Sequence, residues 1–132
     1  MNKTSIEFAD FSWNVITGCR NGCSYCWAKK FNDRYFKNND FHVPKFYEER
    51  LNEKIPGLPK VRNYIAAAIS PDKPVIFVVD MGDIFSEGVS VYWQEDIVDY
   101  IIGHQEANFL LLTKRPLNYL SWIGRLSQNT FI

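Results

Sequence analysis

"VIFVVDMGD", residues 75–83, is the stretch on which the fold turns. Its first five residues are all apolar. A run this short, bounded by "SPDKP" before it and by Met81, Gly82 and Asp83 after it, marks a strand buried on both faces. Such strands belong to parallel sheets, and helices must cover them. Reading toward the C-terminus, "SVYWQEDIVDYIIGHQ" (90–105) spaces Trp93, Ile97 and Ile101 four apart, which predicts a covering helix. "FLLLT" (109–113) is the next buried strand. Pro116 then opens a helix with Leu117, Leu120 and Ile123 on one face, and "NTFI" (129–132) reads as the start of another strand.

Toward the N-terminus, "PKVRNYIAAAI" (59–69) predicts a helix with Pro59 at its first position. Residues 37–58 read as an irregular connection with a short helical turn around "FYEERL". "SYCWAKKFNDRYFK" (24–37) predicts a helix capped by Ser24, with Ala28, Phe31 and Tyr35 at helical spacing. "FSWNVIT" (11–17) is a strand ending at Gly18. The alternation is that of a parallel α/β sheet, read as a single domain over 1–132.

Composition narrows the class. At 132 residues the chain is large enough to bury roughly two thirds of its unfolded surface, and ten Phe, seven Tyr and four Trp argue for a packed core. Fifteen basic residues balance fifteen acidic ones, so no bulk charge points to DNA or to a membrane surface. No stretch approaches the roughly 20 apolar residues that cross a bilayer, and a cytoplasmic location is expected.

All three cysteines fall within "CRNGCSYC" (19–26). An odd count and a reducing compartment argue for metal binding or catalysis over a disulfide. Spacers of three and two residues let one loop present Cys19, Cys23 and Cys26 around a cubane iron–sulfur cluster while one iron stays open. The helix beginning near Ser24 turns its partial positive end toward such an anion, with Arg20, Lys29 and Lys30 near in sequence. In parallel α/β folds, functional groups gather at the C-terminal ends of strands. Gly18 to Cys26, Asp80 to Asp83 and Thr113 to Arg115 all sit at such ends and are expected to converge.

CxxxCxxC following a strand and opening a helix, with an aromatic residue, Tyr25, ahead of the last cysteine, resembles the signature of radical S-adenosylmethionine enzymes. "SIEFADFSWNVITGC", "VVDMGDIF" and "LLLTKRP", in that order, are similar more narrowly to a phage-associated, little-characterised radical-S-adenosylmethionine-like family. Its motifs are a Trp-Asn-Pro-x-Thr-Gly-Cys segment, a Ser-Asp-Leu-Phe-like turn and a Thr-Lys-Arg-Pro turn. The likeness runs from about Ser5 to Pro116, and Val15 stands where that family usually has proline.

The resemblance implies a partial (β/α) barrel, about half of a radical-SAM-type barrel and the N-terminal half of a longer one, because eight strands need about 250 residues. A second chain completing the barrel is among the partners it allows. It implies a 4Fe-4S cluster on Cys19, Cys23 and Cys26 and reductive cleavage of S-adenosylmethionine to a 5′-deoxyadenosyl radical, with a flavodoxin- or ferredoxin-type reductant. By the same resemblance Asp83, with Asp80 close by, would meet the amino group of the methionine, and Gly82 would permit close backbone approach. Lys114 or Arg115 would meet its carboxylate or an anionic substrate. Catalytic residues beyond these and the substrate are left unassigned.

Each assignment has a plainer rival. The thiols suit zinc with His42 or His104 as fourth ligand, in a non-catalytic metal-stabilised binding module or an inactive truncated fragment. Asp80 and Asp83 suit capping of the following turn, Lys114 and Arg115 suit a solvated helix start, and Trp13 and Asn14 suit bracing of the cysteine loop. "WAKKFNDRYFK" (27–37) mixes basic and aromatic residues and raises nucleic acid as a substrate, against the plainer reading of an amphipathic helix with a solvated face.

Overall fold

The computed structural model describes residues 1–126 and 129–131. Its strands are β1 (Asn2–Lys3), β2 (Phe11–Trp13), β3 (Ile16–Thr17), β4 (Lys45–Phe46), β5 (Val75–Val78), β6 (Asn108–Leu111) and β7 (Thr130–Phe131). Its helices are α1 (Trp27–Tyr35), α2 (Tyr64–Ile69), α3 (Val91–Gly103) and α4 (Pro116–Leu120), with a 3-10 turn at Glu48–Asn52. The main sheet runs β1-β2-β5-β6-β7, parallel throughout except for the antiparallel edge strand β1. It is an open sheet, and among the described residues no barrel closes. No helix among them is long and apolar enough to cross a membrane.

Every residue of β5 is buried, as its unbroken apolar run requires. Trp13, Ile76, Val78, Phe109 and Leu111 turn to one face and form the main core with Ile97, Val98 and Ile101 of α3. Val75 and Phe77 turn to the other face, toward Ala9 and Ala66. β6 departs from expectation in being buried on alternate residues only: Phe109 and Leu111 are buried, Asn108 and Leu110 half-buried. α3 starts where Ser90 accepts a hydrogen bond from the Tyr92 N–H, an ordinary N-cap.

Four local readings are corrected. The strand expected over 11–17 breaks at Asn14 and Val15, and Ile16–Thr17 pairs with Lys45–Phe46 in a separate two-stranded sheet. The helix expected from Pro59 begins at Tyr64, and residues 59–63, with a bend at Lys60 and Val61, stay outside it. Arg62 lies along them and reaches the fully buried Asp10 carboxylate through two hydrogen bonds of 3.0 and 2.8 Å, while the Asn63 amide donates to the carbonyls of Thr4, Ile6 and Ala9. α1 begins at Trp27 and is capped by Cys26, not Ser24, and the residues it buries are Ala28 and Asn32, with Phe31 and Tyr35 outside. On α4 and the turn after it, Leu117, Leu120 and Ile123 are exposed. The inward residues are Tyr119, edge-on to Phe85, and Trp122, whose Nε1–H donates to Gln94.

Candidate functional site

Three loops meet above the C-terminal ends of β2, β5 and β6, and close backbone contact joins the first two. The Gly18 N–H donates to the Met81 carbonyl at 2.9 Å, and Gly18 and Gly82 form an isolated parallel bridge. A Cβ on Gly82 would stand 2.6 Å from the Gly18 carbonyl oxygen. One on Gly18, which has φ +93°, would stand 2.7 Å from the Val43 carbonyl. Gly82 is therefore required by the neighbouring loop. Gly82→Ala is expected to cost about 1–3 kcal/mol and to lower the melting temperature by several degrees. A melt within a degree of the parent would show that the loops can part without cost.

Asp83 ties the third loop in. It is 4% exposed. One carboxylate oxygen accepts from the Phe85 N–H at 2.9 Å. The other accepts from Asn21 Nδ2 at 2.8 Å and from the Lys114 N–H at 2.9 Å, and the Thr113 hydroxyl lies 2.9 Å from both. Its capacity is taken up by protein donors from all three loops. This is the capping role extended to a latch, and it leaves no free edge for an ammonium group. Arg115 is likewise turned away, donating from Nε to the Asn21 side-chain oxygen at 3.0 Å.

Asp80 presents the acid that remains. Val79 before it sits at φ 59°, a left-handed backbone that costs a β-branched residue about 1–3 kcal/mol, and the reversal there ends β5. Asn14 fixes the turn: its Nδ2 donates to Asp80 Oδ1 at 2.5 Å and its Oδ1 accepts from the Met81 N–H at 3.0 Å. The bracing expected of Asn14 and Trp13 is thus specific, with Trp13 buried and donating from Nε1 to the Arg50 carbonyl at 3.1 Å. Burial pushes the Asp80 carboxyl above the usual carboxylate range, against hydrogen bonds from Asn14 and Ser12 that pull it down.

The loops enclose a cavity of about 300 Å³. Cys19, Cys23 and Cys26 border it together with Asp80, Gly82, Asp83 and Lys114, and Tyr25, Trp27, Phe41 and Leu112 give it apolar walls. All three thiols are free and half-buried. The Asn21 N–H points at Cys19 Sγ and the Lys29 N–H at Cys26 Sγ, each at 3.4 Å, so two sulfurs receive backbone donors and the second stands at the N-terminus of α1. Burial, chiefly, raises the Cys19 thiol, with the nearby Asp83 charge acting in the same direction. The Lys114 ammonium lies 5.1 Å from the Tyr25 ring centroid, and its pKa is raised by that phenol.

Of the other candidates, His42 borders a small cleft shared with the three thiols. His104 instead faces Glu106 at 2.9 Å and the Tyr100 ring. Among the described residues no three His, Cys, Asp or Glu side chains are gathered as a single-ion site. Lys29 is spent on Asp33 in an i, i+4 ion pair at 2.5 Å. Two parts of the site had little signal in the sequence. Asn21, between two cysteines, reads as a spacer, and Phe41, whose carbonyl accepts from the Cys19 N–H at 2.8 Å, comes from the loop after α1.

The chain belongs to the family described as "Protein of unknown function (DUF5131)", which matches residues 3–130. No curated protein and no solved structure matches it.

Proposed function

We propose that this member of the family is a radical S-adenosylmethionine protein in which Cys19, Cys23 and Cys26 hold three irons of a 4Fe-4S cluster beside a site for S-adenosylmethionine. One observation carries the reading: three free thiols from an eight-residue loop border the same cavity as an acid, a lysine and an apolar wall. The donor set fits the group, since thiolate sulfur is what cluster irons prefer and backbone N–H groups already face two of the sulfurs. When bound, the cluster supplies the electron for reductive cleavage of S-adenosylmethionine to a 5′-deoxyadenosyl radical.

The chain does the rest. Asp80 offers a carboxylate to the methionine ammonium, and Lys114, with no acidic partner among the described residues, offers a cation to its carboxylate. Trp27, Phe41 and Leu112 give an apolar wall that excludes water from the adenosyl group. Asp83, Asn21 and Arg115 act as positioning residues for the cysteine loop. In this reading β2, β5, β6 and β7 are the first four strands of a (β/α) barrel, about half of one. The protein is cytoplasmic and phage-associated, it takes its electron from a flavodoxin- or ferredoxin-type donor, and further chain or a second chain covers the open sheet.

A Cys₃His zinc site with His42 is the second reading, prompted by the cleft that His42 shares with the thiols, and it requires those four side chains to draw together around one ion. Anaerobic iron reconstitution followed by electron paramagnetic resonance with and without S-adenosylmethionine separates the two. A 4Fe-4S signal that shifts on addition supports an open iron; stoichiometric zinc without an iron signal overturns the proposal.

Asp80→Asn adds a test with two readouts of opposite sign. Exchanging a charge-assisted contact for a neutral one is expected to weaken S-adenosylmethionine binding about tenfold, read by calorimetry. The same change is expected to raise the melting temperature of the unliganded protein at neutral pH. The raised carboxyl binds its proton more tightly folded than unfolded, so stability falls as pH rises from the ordinary Asp pKa through the folded one, and asparagine removes that fall. Unchanged affinity would take Asp80 out of the binding site.

A further inference from the structure

We propose that α1 is a recognition surface for single-stranded nucleic acid, which binds along a row of aromatic rings and is led by it to the cysteine cavity. The row begins on the cavity wall, since Tyr25 and Trp27 both border that space. From there Trp27, Phe31 and Tyr35 follow four residues apart, each about 40° further round the helix, and so form one slowly turning stripe. Their rings touch in sequence, with centroids 6.4 Å apart from Trp27 to Phe31 and 4.7 Å from Phe31 to Tyr35; Phe36 adds a fourth ring 6.2 Å from Phe31.

Helical spacing would normally put such a stripe in the core. Here the core side of α1 is Ala28 and Asn32, and the four aromatic residues are each 42–58% exposed. Ring faces left in water are stacking platforms for any base.

The charges beside the row choose the occupant. Lys30 and Arg34 stand three residues after Trp27 and Phe31, on the side of the stripe away from Ala28 and Asn32, and neither has an acidic partner among the described residues. Arg34 leans over the Tyr35 ring at 5.3 Å, and Lys37 continues the series. The one acid between residues 27 and 37, Asp33, is occupied by Lys29 on the far side. An apolar partner would have to desolvate these unpaired cations, whereas a phosphate backbone neutralises them while its bases meet the rings. In a chain of zero net charge this rail is a local feature that the composition hides. Binding along the row stands by itself; delivery of a nucleotide to the cavity rests on the reading of that cavity as an S-adenosylmethionine site.

The test is fluorescence anisotropy of labelled oligo-dT and oligo-U, about 20 nucleotides long, against the full chain between about 50 and 200 mM salt. Binding that weakens with salt is expected. Phe31→Ala and Tyr35→Ala, both at exposed positions, should each weaken it about tenfold, and Lys30→Gln and Arg34→Gln should each flatten the log–log salt slope by about 0.7. Absence of binding at the lowest salt, or indifference to all four substitutions, overturns the proposal. So does equal affinity for duplex, which has no free base faces, or a dimer that Phe31→Ala splits in sedimentation, which would give the row to a second copy. Leu117→Ala, at an exposed position on α4 away from the row, should bind the strand as well as the parent. A protein that binds the strand but whose cluster ignores S-adenosylmethionine refutes the cavity reading alone, and the converse refutes the aromatic row alone.

Discussion

Cys23→Ala is expected to abolish iron–sulfur loading while the sheet remains folded. The effect is all-or-none on metal content because a cubane held by three thiolates has no spare protein ligand: removing one leaves two irons without protein sulfur. The effect on the apo fold is small, since Cys23 is half-buried and lies outside both hydrophobic clusters. Cys26 gives a sharper comparison because its sulfur also caps α1. Cys26→Ala loses ligand and cap together, and the cap is worth about 1 kcal/mol. Cys26→Ser restores an acceptor for the Lys29 N–H yet offers a poor iron ligand, so it should melt above Cys26→Ala and load equally little iron. Iron and sulfide analysis with far-ultraviolet circular dichroism reads both quantities. A full complement of iron in Cys23→Ala would remove the cysteine loop from the centre of the proposal.

The elements that sequence reading placed correctly are those whose signal is local. Val75–Val78 has an apolar run too short for a surface helix and buried throughout, and the α3 stripe of Ile97 and Ile101 repeats at the helical period over thirteen residues. What periodicity cannot choose is which of two stripes faces inward. On α1 it sets Ala28, Phe31 and Tyr35 at helical spacing, and of the three only Ala28 turns inward, beside the Asn32 amide, which donates to the Asn39 carbonyl and exchanges a second bond with the Asn39 side chain. α4 fails similarly: Leu117 and Leu120 look like its core face until Phe85 and Gln94, from a distant loop and helix, claim Tyr119 and Trp122. The late start of α2 is hidden for a third reason. Arg62 and Asp10 are far apart in sequence, and nothing near either one announces that a buried carboxylate will hold five residues out of a helix. The site divides in the same way. The thiols and the loop convergence follow from spacing and strand polarity, whereas the division of labour between Asp80 and Asp83 depends on which donors the folded loops aim at each carboxylate.

That division makes Asp83→Ala the substitution with the largest expected cost to the fold. The donors that converge on Asp83 come from the cysteine loop, from the turn after β6 and from its own loop. Hydrogen bonds to a charged acceptor are worth about 1.5–3 kcal/mol each, and the two backbone donors, Phe85 and Lys114, cannot turn to water as the Asn21 side chain can. Counting those two alone gives about 3–6 kcal/mol, or a fall in melting temperature of roughly 10–25 °C for a chain of this size. Asp83→Asn is only a partial rescue. One side-chain position would become a donor facing the Lys114 N–H and the Asn21 amide, so it should recover the Phe85 and Thr113 contacts on the remaining oxygen and melt between the alanine variant and the parent. Thr113→Val, which removes a single hydroxyl from the latch, should lie well above both. This ordering separates a latch from a ligand. If Asp83 served chiefly to meet a bound ammonium, the unliganded Asp83→Ala protein would melt with the parent and only its response to S-adenosylmethionine would change.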